Sequence, residues 1–417
     1  MRILELTPAM EKKLLRARQQ RDEEAHRVAA RVVADVRRRG DIALFAWANK
    51  LDGAELLRDS LWISQDEMRS AHRRANPEFL TAVRHAARNV GRVAQKQLPK
   101  AWSVEVEPGV KIAQTVPAIE SIGCYIPGGR HALISTLIMT AAPAKVAGVK
   151  RIVAVCPRPN DQLLAAAYEL GVTKLARIGG AQAIAALAYG TESVSRVDKI
   201  FGPGNRFVTA AKQLVSGDCA IDLPAGPTEA IVLAVRGNPR WIAADLLAQA
   251  EHAPDAGSYF VTTSSKLARQ VRHEVMVQLR KLEKSNPAQI SMRRMGAVFL
   301  ASSMVAAFKF VNRFAPEHLS LPDATAYSKN IVAAGTVFVG PWGAQPLGDY
   351  ASGSNHVLPT GGWARMRGGL SAADFVKCIS VQSISRKGFH RLARDVQVLA
   401  RAEGLMAHAN SVEVRLK

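Results

Sequence analysis

The sequence of 417 residues contains little cysteine. No two of its four cysteines form a Cys-x-x-Cys pair; they are Cys124, Cys156, Cys219 and Cys378. This wide spacing argues against a disulfide-stabilised scaffold and against a cysteine-rich zinc site. We expect these cysteines to be buried or incidental in a protein of a reducing compartment.

Long apolar runs are also lacking. The most apolar stretch, residues 132–149, is interrupted by serine, threonine, proline and lysine and is too polar for a membrane span. The first 20 residues mix charged and apolar side chains without the apolar core of a signal peptide. We therefore expect neither secretion nor membrane insertion.

Acidic residues are fewer than basic ones, 35 against 56, which gives a formal net charge of +21. Such an excess suits an anionic substrate, a pyrophosphate cofactor or a polyanionic partner, and the sign alone does not discriminate among them. The basic residues form short clusters such as Arg37–Arg39, without zinc-finger spacing, an RNP-type motif or a long basic tail. We expect no dedicated nucleic-acid binding, although a nucleic-acid-binding protein built on an enzyme scaffold is kept as a rival.

The order of apolar segments predicts an α/β fold. Helical periodicity dominates from about residue 8 to 97, whereas short apolar strands alternate with glycine-bearing loops and helix-like runs between Ser121 and Ala234. A second such series extends to Val339. This alternation is typical of parallel, doubly wound sheets and predicts two α/β units. From Ser371 a helical pattern returns and ends in an extended Ser411–Leu416, a tail too short for its own core that we expect to pack on a second copy of the chain.

Three glycine-rich turns follow predicted strands, at Tyr125–Gly129, Ile178–Gln182 and Phe201–Asn205. Ligands of open parallel sheets bind beyond the carboxyl ends of the strands, and helix N-termini favour anions, so three such turns suggest a nucleotide site. None matches G-x-G-x-x-G or the P-loop, and each alone is equally compatible with ordinary turn chemistry.

Two pairs of residues could carry chemistry. Gln249 and His252 are three apart on a predicted helix and share a face, but a metal site there requires other ligands to converge on them. Candidates for those further ligands are Asp349, His356 and His408. Glu317 and His318 lie side by side at a predicted loop-to-strand junction and could serve two separate proton transfers. A solvated loop pair is the alternative for the latter.

Together these segments resemble the histidinol dehydrogenase family from about Ala30 to the C-terminus. The ungapped motifs that carry the resemblance occur in the family's order: Tyr125–Gly129, Pro143–Val149, Gly179–Val194, Val197–Asn205, Asp222–Glu229, Gln249–His252, Ala315–Leu319, Gly348–Thr360 and Glu403–His408. Thr228 departs from the pattern, since serine is common there, without removing any ligand or catalytic residue.

The resemblance implies a cytoplasmic, NAD-dependent, zinc-containing enzyme that oxidises L-histidinol through L-histidinaldehyde to L-histidine, the last step of histidine biosynthesis. It also implies two incomplete Rossmann-like doubly wound units with helical N-terminal and C-terminal segments, in an intertwined homodimer. The expected division is a helical segment (1–23), a first α/β domain with the zinc and catalytic residues (24–124 and 229–370), a second, NAD-binding α/β domain (125–228) and a dimerisation segment (371–417).

The resemblance also implies roles for particular residues. His318 would be the general base, and Glu317 would activate the water that hydrates the aldehyde. One zinc ion per subunit would be held by Gln249, His252 and Asp349 and by His408 from the partner. The other implied contacts are Thr228, His356 and Glu403 to substrate, in addition to the zinc ligands and His318, and Tyr125, Gln182 and Asn205 to NAD. Glu403, like His408, would be donated across the dimer interface.

A change of substrate within the superfamily is the main alternative. A zinc- and NAD-dependent dehydrogenase of a polyol such as sulfopropanediol would suit a basic pocket, because a sulfonate needs arginine or lysine. An amino group instead needs carboxylates, and Glu403 beside His408 favours histidinol.

Overall fold

A computed structural model describes residues 1–18, 22–52, 56–128, 132–223, 226–323 and 329–416. The helices of these residues are α1 (Pro8–Ala17), α2 (Glu23–Arg39), α3 (Asp41–Asp52), α4 (Gln65–Arg74), α5 (Pro77–Gln97), α6 (Ile134–Ala147), α7 (Asp161–Glu169), α8 (Gly180–Tyr189), α9 (Arg206–Val215), α10 (Pro239–Ala250), α11 (Ser265–Leu279), α12 (Ala288–Arg294), α13 (Met304–Phe314), α14 (Gln345–Tyr350), α15 (Arg386–Ala402) and α16 (Met406–Glu413). The strands are β1 (Arg2–Glu5), β2 (Trp62–Ile63), β3 (Trp102–Glu107), β4 (Val110–Thr115), β5 (Ser121–Tyr125), β6 (Arg151–Val155), β7 (Lys174–Ala176), β8 (Lys199–Phe201), β9 (Ala220–Ile221), β10 (Glu229–Leu233), β11 (Gly257–Thr262), β12 (Ala297–Leu300), β13 (His318–Leu321), β14 (Thr336–Val339) and β15 (Ile379–Ile384).

Two parallel sheets form the body of the chain, and the predicted α/β class is confirmed. The first has the strand order β1-β12-β11-β10-β13-β14 and the second β2-β7-β6-β5-β8-β9, with only β2 antiparallel to its neighbour. The edge strands β1 and β2 come from earlier in the chain. The remaining strands of each sheet start in the middle, at β10 or β5, add two strands on one side and then cross to the other. Strand order therefore reverses between β10 and β13 and between β5 and β8, the positions where open sheets form crevices.

The helices before residue 121 pack differently from the division expected from the sequence. Helix α2 packs on α8 and α9, α4 on α7, and α5 on α6. The apolar stripe of α2, from Ala25 to Val36, lies in the same buried cluster as Val153 and Leu187. Helices α2 to α5 are thus grouped by packing with the second sheet rather than with residues 229–370, whereas β3 and β4 belong to a separate sheet with β15. Conversely, the predicted helical start contributes β1, which pairs with β12 of the first sheet.

The C-terminal segment forms an arm that is largely exposed. Strand β15 joins β4 and β3 in an antiparallel sheet, and α15 and α16 pack on each other. Every residue of β3 and β15 is exposed. The prediction of an extended Ser411–Leu416 is wrong: α16 continues to Glu413 and is followed by a turn, because the backbone closes helical hydrogen bonds such as Val414 N to Asn410 O. No helix of the described ranges is long and apolar enough to cross a membrane.

A buried ion pair stabilises the turn after β8. Lys212 of α9 pairs with Asp222, and both side chains are nearly fully buried. Lys212 Nζ also donates to the carbonyl of Gly202 at 2.8 Å, and Asp222 Oδ2 accepts from the Gly202 amide at 2.7 Å. These bonds compensate both charges and hold the third glycine-rich turn on the sheet.

We predict that Lys212→Met lowers the free energy of unfolding by about 3–5 kcal/mol, because it leaves the Asp222 carboxylate buried without its cation. The measurement is the urea midpoint followed by tryptophan fluorescence. Asp222→Asn in the same chain should recover part of the loss, whereas Lys100→Met, at an exposed position, should change little. Equal midpoints for Lys212→Met and Lys100→Met would contradict the prediction.

Candidate active site

The predicted catalytic pair, Glu317 and His318, lies at the amino end of β13, next to the amino end of its paired strand β10. Glu229 begins β10, His318 begins β13, and Ala230 is the register partner of His318. Thr228 and Glu317 immediately precede these strands, so they lie at the point where strand order reverses. Helices α10 and α14, which follow β10 and β14, both end at this edge. Their last turns deliver Gln249 from α10 and Asp349 from α14, both buried.

A chain of hydrogen bonds holds the Glu317 carboxylate. Gln345 Nε2 donates to Gln249 Oε1 at 2.6 Å, and Gln249 Nε2 donates to Thr228 Oγ1 at 2.7 Å. The Thr228 hydroxyl then donates to Glu317 Oε2, which also accepts from the Glu229 amide at 3.0 Å. Glu317 is therefore oriented from the β10 side, with its second oxygen not engaged by these donors.

His318 is buried with both ring nitrogens lacking a hydrogen-bond partner in the described part of the chain. Its Nδ1 lies 3.7 Å from Glu317 Oε2 and its Nε2 lies 3.6 Å from Asp349 Oδ1. The ring stacks on Phe338 of β14. Burial by itself lowers the pKa of His318, but the carboxylates of Glu317 and Asp349 outweigh it and raise the pKa. Buried orphan nitrogens between two carboxylates are available to a bound molecule.

His252 completes the cluster from just beyond α10. The helix ends at Ala250, so the two residues do not share a helix as the sequence predicted; instead the His252 amide bonds to the Gln249 carbonyl in the following turn. His252 Nε2 lies 3.9 Å from Asp349 Oδ2, and the imidazole is 43% exposed. Burial raises the pKa of Asp349, yet the neighbouring His318 ring and the other histidines of the cluster lower it by more, with a net decrease.

The donor set of this cluster fits a borderline cation. Gln249 offers an amide oxygen, His252 an imidazole nitrogen and Asp349 a carboxylate, a mixture that suits zinc. Within the described residues, no three histidine, cysteine or carboxylate side chains form a metal site by themselves. This is expected for a site in which one ligand is a glutamine and another comes from elsewhere.

His356 joins the cluster to the second sheet. Its Nδ1 lies 2.9 Å from the Asp349 carbonyl and its Nε2 lies 3.3 Å from Thr136 Oγ1, at the start of α6. Burial lowers the pKa of His356 and so disfavours the charged form of its ring. The amino edge of the first sheet thus meets the carboxyl edge of the second.

Two predicted site residues are not brought to the cluster within the chain. Glu403 caps the C-terminal end of α15, and His408 lies on α16. Both are exposed on the C-terminal arm. Among the described residues, neither has a hydrogen bond or ion pair with Glu317, His318, Gln249, His252 or Asp349. Their participation therefore requires a second copy of the chain.

The three predicted NAD contacts lie at the carboxyl edge of the second sheet. Tyr125 ends β5, and its hydroxyl accepts from the Gly180 amide at 3.1 Å. Gln182 is fully buried, and its Oε1 has no hydrogen-bond partner among the described residues. Asn205 caps α9 beside Gly202, which must be glycine because its φ is +111° and a Cβ there would lie 2.2 Å from the Tyr125 carbonyl oxygen. Residues 129–131, which are the last residue of the first glycine-rich turn and the two that follow it, lie outside the described residues.

Sequence reasoning missed three participants. Gln345 orients Gln249, Asp52 of α3 accepts from Gln182 Nε2 at 3.1 Å, and Arg18 pairs with Glu229 behind Glu317. Each is distant in sequence from its partner, and no local motif marks it. The only available signal was the polar type of Glu229 within an otherwise apolar strand.

Known proteins resemble this chain over nearly its whole length. The histidinol dehydrogenase family profile matches residues 15–416. The histidinol dehydrogenase of Geobacillus kaustophilus is 44% identical over 403 residues, 95% of each chain, and that of Aquifex aeolicus is 42% identical over 94% of this chain and 93% of the other. The crystal structure of histidinol dehydrogenase from Elizabethkingia anophelis superposes with a TM-score of 0.93 at 35% identity and covers 100% of this chain and 98% of the other.

A carboxylate one turn before Gln249 gives a pH-dependent prediction. Asp245 of α10 has no hydrogen-bonding or ionic partner among the described residues, and burial raises its pKa from 3.8 to about 6. The unfolded chain therefore loses this proton first, so Asp245 reduces stability increasingly as pH rises from about 4 to about 6, and the effect is complete above that range.

We predict that Asp245→Asn is more stable than the wild type at pH 8, by about 1–3 kcal/mol. The advantage should shrink as pH falls to 5, because the wild-type carboxyl becomes protonated. Thermal midpoints across this range provide the measurement, with Asp59→Asn as an exposed control. A difference that does not vary with pH would refute the explanation.

Proposed function

The chain belongs to the histidinol dehydrogenase family, and from this membership and the site we infer that it oxidises L-histidinol with NAD, through L-histidinaldehyde, to L-histidine, the last step of histidine biosynthesis. The observation that carries the inference is the buried pair Glu317 and His318 beside Gln249, His252 and Asp349. Two oxidations need two proton routes, and the cluster provides two bases on different sides.

In the first oxidation His318 accepts the hydroxyl proton as hydride leaves the carbinol carbon for NAD. Its ring nitrogens have no partner within the described chain and are free to bond the substrate hydroxyl. In the second, Glu317 accepts a proton from the water that adds to the aldehyde, and the hydrate loses a second hydride. The net reaction converts one alcohol, two NAD+ and one water into one carboxylate, two NADH and three protons.

We propose that Gln249, His252 and Asp349 hold one zinc ion per subunit, with His408 of a second copy as the fourth ligand. The ion would supply a Lewis-acid anchor for the imidazole and amino nitrogens of the substrate. With the charge of Asp349 committed to a cation, the attraction that raises the pKa of His318 is weakened, so the ring is more readily the neutral base. The residues Thr228, His356 and Glu403 complete the proposed substrate contacts.

We propose NAD binding at the carboxyl edge of the second sheet, by Tyr125, Gln182 and Asn205, with both sheets as incomplete Rossmann-like units. The strand order reverses between β5 and β8 at this edge. The buried Gln182 Oε1 accepts no hydrogen bond from the described residues and is an acceptor for a bound molecule. Its neighbour Asp52 can accept from a ribose hydroxyl. These features support a dinucleotide site adjacent to His356.

A homodimer is proposed because the site and the arm are incomplete in one chain. The arm exposes large apolar side chains on β3, β15, α15 and the turn to α16: Trp102, Val104, Val106, Ile379, Val381, Ile384, Val398, Leu399, Leu405 and Met406. Exposed patches of this kind mark interfaces. A second copy would cover them and bring its Glu403 and His408 to the cluster. The cytoplasmic location implied by the resemblance stays a prediction.

The sulfopropanediol alternative is not favoured. The named relatives are histidinol dehydrogenases over nearly their full length. Around the cluster the charged groups are the carboxylates of Glu317 and Asp349, while the nearby cation, Arg18, is committed to Glu229. This pattern suits an ammonium-bearing substrate better than a sulfonate.

We predict that the metallated protein forms two NADH per L-histidinol consumed, measured by absorbance with histidine quantified in parallel. Chelation should abolish turnover and added zinc should restore it. Glu317→Gln should still form the first NADH but slow the second by about 10²-fold or more, the usual contribution of a general base. A wild type that produces one NADH, or none, would reject the four-electron reaction.

Mixed dimers test the shared site. His252→Ala and His408→Ala should each be inactive alone, but coexpression should restore about a quarter of wild-type activity, because random pairing gives half heterodimers with one intact site each. Metal content should rise in parallel. The control pair is His252→Ala with Asp349→Asn. Because both altered ligands are supplied by the same subunit of each site, no heterodimer has an intact site and the pair should stay inactive. Absence of complementation would place all ligands in one chain.

A further inference from the structure

We propose that Arg18 and Glu229 form a buried clamp whose role is to position the Glu317 carboxylate for water addition to the aldehyde. The inference rests on the proposed function and deepens it: Arg18 and Glu229 are positioning residues that act through Glu317 and do not touch the substrate. Arg18 lies in none of the motifs that carry the family resemblance, and Glu229, the last residue of the Asp222–Glu229 motif, was assigned no role from the sequence.

The clamp joins the N-terminal segment to the two elements that flank Glu317. Arg18 follows α1, and its Nε donates to Glu229 Oε2 at 2.9 Å while Nη2 pairs with Oε1. The Nη1 group donates to the carbonyl of Phe314, the last residue of α13, and the guanidinium lies 3.6 Å above the Phe314 ring. One side chain thus connects the start of β10 with the end of α13.

The segment between Phe314 and Glu317 needs such a restraint. Ala315 has φ +50°, the only positive φ among the described non-glycine residues, and this left-handed conformation is unfavourable for an alanine. Pro316 follows and removes a backbone donor. The Arg18 bond to the Phe314 carbonyl therefore fixes the loop immediately before the catalytic carboxylate.

The other end of the clamp controls the donors to Glu317. Glu229 presents its side chain to Arg18 and its backbone amide to Glu317 Oε2, so the same residue links the ion pair and the carboxylate. Thr228, the adjacent residue, donates to the same oxygen. Both Arg18 and Glu229 are nearly buried, 12% and 7% exposed, and burial raises the pKa of Glu229 to about 7 despite Arg18. A buried carboxylate this close to Glu317 is tolerated only with its cation in place.

Loss of the clamp should affect the two oxidations unequally. His318 is held by its strand, by Phe338 and by the charge of Asp349, none of which involves Arg18. Glu317 is held by groups that move with β10 and the Phe314 loop. The hydroxyl-proton step should therefore survive, while water addition slows and the aldehyde escapes.

The test measures NADH per histidinol and single-step rates with L-histidinol and L-histidinaldehyde in Arg18→Lys, Arg18→Met and Glu229→Gln. The matched control is Arg313→Met: Arg313 pairs with Glu11 and ties the same helices, α13 and α1, at the exposed surface. Zinc content, NAD affinity and thermal midpoint are recorded for every variant.

We expect Arg18→Met and Glu229→Gln to slow aldehyde oxidation about tenfold or more, to change histidinol oxidation less than about threefold, and to lower the NADH yield from two toward one. Arg18→Lys should retain only part of the second step, because an ammonium cannot form the bidentate pair. Arg313→Met should keep the wild-type yield. The double variant Arg18→Met with Glu229→Gln should lose no more than either single variant.

Equal slowing of both steps at an unchanged yield of two NADH, or no change in either step, overturns the clamp. The conservative Arg18→Lys and Glu229→Gln variants keep this result accessible if Arg18→Met does not fold. A wild-type protein without histidinol turnover instead overturns the proposed function, so the wild-type measurement alone distinguishes the two failures.

Discussion

The parallel pairing of β10 with β13 is the constraint on which the site depends. It places Thr228 and Glu229 next to Glu317 and His318, although about 90 residues separate the two strands. Because neighbouring strands lie about 4.8 Å apart, the residues that precede them can share hydrogen bonds without any loop folding over them. The Glu229 amide that bonds Glu317 is itself the first amide of β10.

This site departs from the usual arrangement of open α/β sheets, in which ligands bind beyond the carboxyl ends of the strands. Here the proposed chemistry lies at the amino ends of the first sheet, where helices α10 and α14 end and deliver Gln249 and Asp349. The second sheet presents its carboxyl ends to the same region through Thr136 and His356. Opposite edges of the two sheets are thereby proposed to have different functions: one would supply the bases and metal ligands, the other the turns for the cofactor.

The polar groups of the site are connected rather than scattered. Gln345, Gln249, Thr228 and Glu317 form one continuous hydrogen-bonded chain, and Arg18 restrains its end from behind. In a buried environment such a network fixes side-chain rotamers because each unsatisfied group would cost about 1–3 kcal/mol. The orphaned nitrogens of His318 stand out against this background of satisfied groups.

Local pattern was sufficient for some features of this protein. Alternation of apolar runs predicted the parallel sheets and most of their strands, because strand and helix periodicities are carried by neighbouring residues. The motifs around Glu317, His318 and Gln249 predicted the family. The local pattern did not predict strands β3, β4 and β15, because most of their residues are exposed in one chain. It also missed the end of helix α10 before His252, which depends on a turn after Ala250. Tertiary structure decided three other features: the packing of the helices within residues 24–124 on the second sheet, the position of the site at the amino edge of the first sheet, and the pairing of Arg18 with Glu229. Each of these joins residues that no local spacing relates.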